Sequence, residues 1–400
     1  MFKNWIDPVV KNYLFYASPW KTSAGKRNLL IVIAVTVAMS VLGWKDLLEG
    51  IGVMTLLRWT PFVILGSIIG YLIIAFFDRE RRVRFFHFFT ILIVMFVSSE
   101  VAAFLNGLNP PTRLITVGFF EEGFKILPVL LLAIYVPNLI KTRKDGIVYG
   151  AMAGFGFNFI ETASYIQTAL GDSTVTQALL LHLTRTGLWG ISAHIIWSAF
   201  VGMGIGWAME RNRSGFWAKW KPAIITYLIA AGWHSINDLG GLLIGLGTVM
   251  GIEFFMGLVQ GVASFSEEAS KQVGPMNNAL RYGALITNLG FLIVLIVQIR
   301  RSFAAENKIQ VEKLSDEDTI IVHKAELELV KAEKLFSKRK YADYPKATAA
   351  KLVLYQNMLA MQKHTANVFG RDVEEDQGVA ILRKGIRPLR SSHSVIKNDE

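Results

Sequence analysis

Between Met1 and Ile299 the chain strings together one run of roughly 16–25 apolar residues after another, the length a helix needs to cross 30 Å of hydrocarbon. Backbone polar groups at that depth have no water to bond, so each run must satisfy its own N–H and C=O groups as a helix. The runs fall at about 29–44, 60–77, 85–105, 113–139, 147–169, 186–208, 222–239 and 282–299. The last hundred residues hold none. The pattern predicts an all-α fold, a polytopic membrane bundle of about eight spans with a soluble helical C-terminal tail. It divides the chain into an N-terminal segment over 1–28, a membrane-embedded domain over 29–299 and a tail over 300–400. Composition agrees: 52% of residues are hydrophobic, mean hydropathy is +0.39, and only 18% are charged, against about 25% in soluble proteins.

The connectors orient the bundle. Residues 1–28, 78–84, 140–146 and 209–221 are rich in Lys and Arg, and the tail opens with Arg300 and Arg301. The intervening connectors are poor in both. This alternation predicts cytoplasmic termini. It also accounts for the formal charge of +11, which in a soluble domain would point to nucleic acid; no nucleic-acid partner is predicted here. The chain has no cysteine, which removes disulfides, thiolate metal sites and a cysteine nucleophile. Residues 1–28 carry no small-residue cleavage site behind an early apolar core, so no cleaved leader is predicted there. The glycine-rich stretch 240–262 breaks the alternation if it spans, and is read as a helix lying at or re-entering the outer face.

In the tail, apolar positions at helical spacing predict helices over 322–340 and 346–366, broken at Asp343-Tyr344-Pro345. From about 370 onward the sequence reads as a flexible end.

Four of the spans carry ionisable groups. These are Glu121-Glu122-Gly123-Phe124-Lys125, Phe157-Asn158-Phe159-Ile160-Glu161, His194, and His234-Ser235-Ile236-Asn237-Asp238. A charge in hydrocarbon costs several kcal/mol unless paired or wet, so such residues are functional candidates. With the predicted topology, each group lies roughly 8–12 Å below the outer surface at 1.5 Å rise per residue. Four helices thus place polar groups in one layer. Glu121 and Lys125 are four apart, and Glu122 is three from Lys125, so all three can meet. His234 and Asp238 are also four apart. His194, Ser198 and Gly202 form a stripe, and Gly150, Gly154, Gly156, Gly202, Gly204 and Gly206 permit close helix approach.

Carboxylates and imidazoles together suit peptide hydrolysis without Ser or Cys. A carboxylate can take a proton from water. Imidazoles, with an amide such as Asn237, can stabilise the oxyanion. The same set also matches a zinc site, held by Glu121, His194 and His234, although no His-Glu-x-x-His run is present. Taken singly, each residue has a structural explanation: a satisfied core histidine, a helix-start acidic pair, an interhelical contact. Glu100 and Glu253 are secondary candidates, better read as interfacial. His182 and Arg185 fall in an outer connector, where they could line an entrance. The tryptophans Trp189, Trp197, Trp207 and Trp233 read as packing or interface anchors.

Glu121-Glu122-x-x-Lys125, Phe157-x-x-x-Glu161, His194 with Ser198 and Gly202, and His234-x-x-Asn237-Asp238 resemble the ordered motifs of the PrsW-type intramembrane proteases. That family is related to the CAAX prenyl protease and bacteriocin-processing group. The resemblance covers about 110–240. Ile126 and Glu161 stand where the CAAX branch is similar in carrying Arg and His, which disfavours a prenylated substrate. The resemblance implies an intramembrane endopeptidase of a prokaryotic inner membrane, acting on a membrane-anchored protein such as an anti-sigma factor. It implies Glu121 as water activator, His194 as its assistant, and His234 with Asn237 or Asp238 at the oxyanion. Glu122, Lys125 and Glu161 would orient and tune the site. A glutamic mechanism without metal is preferred, with zinc as the alternative. Two other functions stand against this reading: a proton-coupled transporter, which the lack of duplicated halves disfavours, and a non-catalytic membrane scaffold. The oligomeric state leaves no signature in the sequence.

Overall fold

A computed structural model of the chain describes residues 7–16, 18–50, 53–78, 84–108, 113–170, 182, 190–211, 215–236, 265–333, 341 and 344–398. No strand occurs among them. In chain order the helices are α1 (Pro8–Phe15), α2 (Ser23–Gly50), α3 (Val53–Gly66), α4 (Ile68–Phe77), α5 (Arg84–Ile93) and α6 (Ser99–Leu108). They continue with α7 (Arg113–Tyr135), α8 (Arg143–Leu170), α9 (Ala193–Glu210) and α10, over 216–236. The last four are α11 (Phe265–Ser315), α12 (Lys324–Lys331), α13 (Lys346–Val368) and α14 (Gln377–Asn398). A π-helical turn, Val94–Ser98, joins α5 to α6 without a break. Proline opens α1, where its missing N–H costs nothing, and Asp7 caps it by accepting from Val9 N at 3.0 Å.

Among the described residues two stretches are both long and apolar enough to cross a membrane: Arg84–Asn106, and Asn288–Ser315 within α11. Trp59–Gly66 and Ile68–Phe77 form a third if their 50° bend at Ser67 lies within one span. The helices that carry the polar motifs are less apolar, because their charged, polar and glycine residues lower their hydropathy. Of these, α9 is buried along nearly its whole length, whereas α10 keeps one face outward. The outer helices expose Leu30, Ile31, Leu65, Leu72, Phe88, Leu228 and Leu289. So broad an apolar surface requires hydrocarbon around it.

α8 and α9 run antiparallel in backbone contact. Gly146 and Gly150 face Gly202 and the Ser198 carbonyl, Gly154 faces the backbone of His194 and Ile195, and Gly206 faces Thr142. A Cβ at any of these positions would collide with the partner backbone, which is what the glycine spacing predicted. Gly156 makes the same close approach to α5, and Gly204 to α10.

The tail departs from expectation in two ways. α11 runs unbroken through Arg300 and Arg301, so span and tail share one helix; no Gly or Pro follows Gly290 to stop it. The stretch from 370, expected to be a flexible end, contains α14. Its Val379, Leu382 and Ile386 lie at i, i+3 and i+7 and are fully buried, and Asp376 caps it by accepting from Gly378 N and Val379 N. α13 matches the predicted 346–366 closely, and α12 falls within the predicted 322–340, of which 334–340 lie outside the described residues.

The tail is seated on the chain's beginning and on the connector 136–142. Tyr355 donates to Asp7 at 2.5 Å, Lys351 pairs with Asp7 at 3.0 Å, and Lys141 Nζ donates to Gln362 at 2.6 Å. Lys144 pairs with Glu306 at 2.5 Å with both side chains buried. The 240–262 stretch lies outside the described residues.

Candidate active site

α7 supplies three charges within one turn. Lys125 Nζ lies 2.8 Å from Glu122 Oε1 and 3.5 Å from Glu121 Oε2, as the i,i+3 and i,i+4 spacings require. Lys125 and Glu122 are completely buried. The lysine stem crosses the face of Phe157, with Nζ 3.7 Å from the ring centre. That contact gives Phe157, on α8, a direct part in holding the ammonium.

α9 and α10 bring the imidazoles. His194 Nδ1 lies 2.9 Å from Lys125 Nζ, and its Nε2 lies 2.7 Å from Glu161 Oε2. His234 Nδ1 lies 3.0 Å from Glu122 Oε1, and its Nε2 lies 3.6 Å from Glu121 Oε2. The two rings are 5.0 Å apart. Ser198, one turn after His194, donates to Glu122 Oε2 at 3.2 Å. The structure therefore gathers Glu121, Glu122, Lys125, Phe157, Glu161, His194, Ser198 and His234 in one cluster drawn from four helices. Asn237 and Asp238 lie outside the described residues.

Neighbours that the sequence did not single out as site residues complete it. Asn106, on α6 and 3% exposed, donates to Glu121 Oε1 at 3.3 Å. Trp197, read as packing, does pack, but against both imidazoles, 5.4 Å from His194 and 4.6 Å from His234; its Nε1 donates to Asn288 of α11 at 3.0 Å. Ser235 accepts from Gly118 N, and Tyr227 donates to Phe119 O at 2.9 Å, tying α10 to the first half of α7. A polar residue near the end of an apolar span was the available signal for Asn106. For Trp197, three residues after His194, the helical period was.

Other candidates stand apart. Glu100 is buried in α6, His182 packs edge-on to Phe62 against Gly66, and Asn158 accepts from Thr162. Arg185, Trp189 and Glu253 lie outside the described residues.

The charges constrain the chemistry. Glu121, Glu122 and Glu161 bring three negative charges and Lys125 one positive, leaving two to be offset in a buried place. Two protonated imidazoles would do so, and so would one divalent cation. Donor atoms of Glu121, His194 and His234 lie within 4.8 Å of one another, so these residues fit a metal ion. Each imidazole also has a carboxylate behind one nitrogen, the arrangement that orients metal-binding histidines.

A family model described as PrsW family intramembrane metalloprotease matches residues 62–265. No curated protein and no solved structure matches the chain.

Proposed function

We propose that this chain, which belongs to the PrsW family of intramembrane metalloproteases, cuts a peptide bond in or beside a transmembrane segment of a membrane-anchored protein, with Glu121 activating the attacking water. The observation that carries this reading is the graded access of the three carboxylates. Glu122 is sealed off, whereas the side chains of Glu121 and Glu161 are 13% and 21% exposed. Water must reach the base that deprotonates it. Glu161 is held close to His194 at 2.7 Å, whereas Asn106, Lys125 and His234 approach Glu121 at 3.3, 3.5 and 3.6 Å.

In this reading Glu121 takes a proton from water while the oxygen adds to the peptide carbonyl. His234 faces the developing oxyanion, joined by Asn237 or Asp238. Glu121 then returns the proton to the amide nitrogen as the C–N bond breaks. His194 assists Glu121 through Lys125. Glu122, Glu161, Ser198 and Phe157 hold these groups in register.

A second reading is favoured by the carboxylate behind each imidazole. Glu121, His194 and His234 would hold zinc, a fit to their N and O donors, with Glu161 and Glu122 orienting the rings. Zinc bound there would acidify a water and polarise the scissile carbonyl. The glutamic reading is preferred because Lys125 already places a cation 2.9 Å from His194 Nδ1 and so engages that nitrogen.

Eight crossings, cytoplasmic termini and a prokaryotic inner membrane complete the proposal, with a substrate such as an anti-sigma factor cut near its extracytoplasmic end. The test is co-expression with single-span membrane proteins. Wild type cuts its substrate, and Glu121→Gln lowers the rate about 10²–10⁴-fold, as loss of a general base does. A variant that still cuts at the wild-type rate removes Glu121 from its role. Cleavage by purified protein that stops with a chelator and returns with zinc transfers the mechanism to the second reading.

A further inference from the structure

A cavity of about 600 Å³ lies at the end of the bundle opposite the Glu/His cluster, where the connector 136–142 and the end of α9 meet α11 and α13. Glu121 to Pro137 and His194 to Glu210 are sixteen residues each, roughly 24 Å of helix. The cavity is therefore separate from the proposed active site. Its volume falls in the range of small-molecule sites, about 300–1,000 Å³.

Its walls have a distinct chemistry. Lys141, Arg143, Lys219 and Arg371 line it with Glu210 and Glu306; Arg143 pairs with Glu210, Arg371 with Asp376 just behind the wall and Glu306 with Lys144, so that the five cations exceed the three carboxylates by two. Ile140, Ile309 and Met361 supply apolar surface between them. Ser302 also lines the cavity; it is 2% exposed, and its Oγ has no hydrogen-bond partner among the described residues. That hydroxyl therefore has a hydrogen bond to give to a group entering the cavity. His364, on α13, stands on the same wall, and burial followed by Lys313 holds its pKa below the ordinary 6.5.

We propose that this cavity binds an anionic ligand carrying a phosphate on an apolar body, the cations meeting the phosphate and Ser302 donating its hydroxyl. Both a phospholipid and a soluble phosphorylated compound have that chemistry. A ligand seated here touches the membrane helices and the tail at once, so it fastens one to the other.

The test uses the full chain in phosphatidylcholine nanodiscs. Phosphatidylglycerol is titrated in, inorganic phosphate serves as competitor, and binding is read by native mass spectrometry with thermal protection as a second measure. Wild type is expected to retain phosphatidylglycerol over phosphatidylcholine. Arg371→Gln with Lys219→Gln, both at the rim, lowers that affinity at least tenfold. Ala305→Trp fills the cavity without changing charge and abolishes it; the two variants are checked for unchanged helix content. Displacement by inorganic phosphate assigns the site to soluble phosphates, and retention against it assigns the site to lipid. No preference for phosphatidylglycerol, or wild-type affinity in either variant, overturns the proposal.

Discussion

Lys125→Met probes the buried charge balance most directly. Methionine keeps the length and apolar body of the stem and removes only the ammonium. In the native cluster Nζ lies 2.8 Å from Glu122 Oε1, 2.9 Å from His194 Nδ1 and 3.7 Å from the centre of Phe157. Both Lys125 and Glu122 are sealed from solvent. Removing one member of such a pair costs about 3–5 kcal/mol, because the other charge stays buried, here with only His234 and Ser198 left beside it. Most of the loss therefore resides in Glu122, which predicts a rescue. Lys125→Met with Glu122→Gln removes both charges and should recover about 2–3 kcal/mol relative to the sum of the single changes. Denaturant unfolding of the four detergent-solubilised proteins closes this cycle. A single Lys125→Met cost below about 1 kcal/mol, or a double variant no better than additive, would refute the idea that this pair is an obligatory buried ion pair.

Three further outcomes follow from other parts of the molecule. Gly150→Val puts a side chain into the Ser198 carbonyl and Ala199 of α9; overpacking of this kind costs about 1–3 kcal/mol, and the displaced α9 moves His194 from Glu161, so cleavage should fall further than stability, measured on the same preparation. Asn106→Leu removes the amide that reaches Glu121 Oε1; with the base no longer held in position, kcat should drop roughly 10–100-fold, and an unchanged kcat would free Glu121 of that contact. Burial, then Lys313, lowers the pKa of His364 from 6.5; the folded tail then binds fewer protons than the unfolded one, so its stability is full above pH 6.5 and is lost as the pH falls through the lower folded value. Hydrogen exchange over 346–368 between pH 8 and 5 should show that slope, and His364→Gln should flatten it.

Much of the site was legible because hydrocarbon makes polar residues conspicuous. Glu121, Glu161, His194 and His234 stood out against their runs, and the i,i+3 and i,i+4 spacings placed Lys125 on both α7 glutamates. Spacing within one helix could not show that Lys125 also reaches His194, or that Glu122 is the carboxylate beneath His234; those contacts depend on how four helices are rotated against each other. The glycines announced a close approach, and the structure assigns each to its partner. The tail was less legible. Its α14 was read as a flexible end, since Lys, Arg and Ser make up eight of its 22 residues, although Val379, Leu382 and Ile386 kept a helical spacing. The apparent boundary at 300 followed from hydropathy alone. Polarity changes at Arg300, but nothing in the backbone chemistry stops a helix there.

The unbroken α11 joins with the glycine seam to tie the two ends of the molecule. At the far end from the cluster, Arg143 at the start of α8 bonds Glu210 at the end of α9 through both backbone and side chain, and Lys144 holds Glu306 of α11. α8 and α9 carry Glu161 and His194, and between those ends they touch backbone to backbone, with no side chains to absorb a shift. Packed interiors transmit displacement rather than dissipating it. An unbroken series of packed contacts thus runs from the tail to the 2.7 Å contact between His194 and Glu161, some 24 Å away along the helices. In this architecture the tail is continuous with the helical scaffold that carries the cluster.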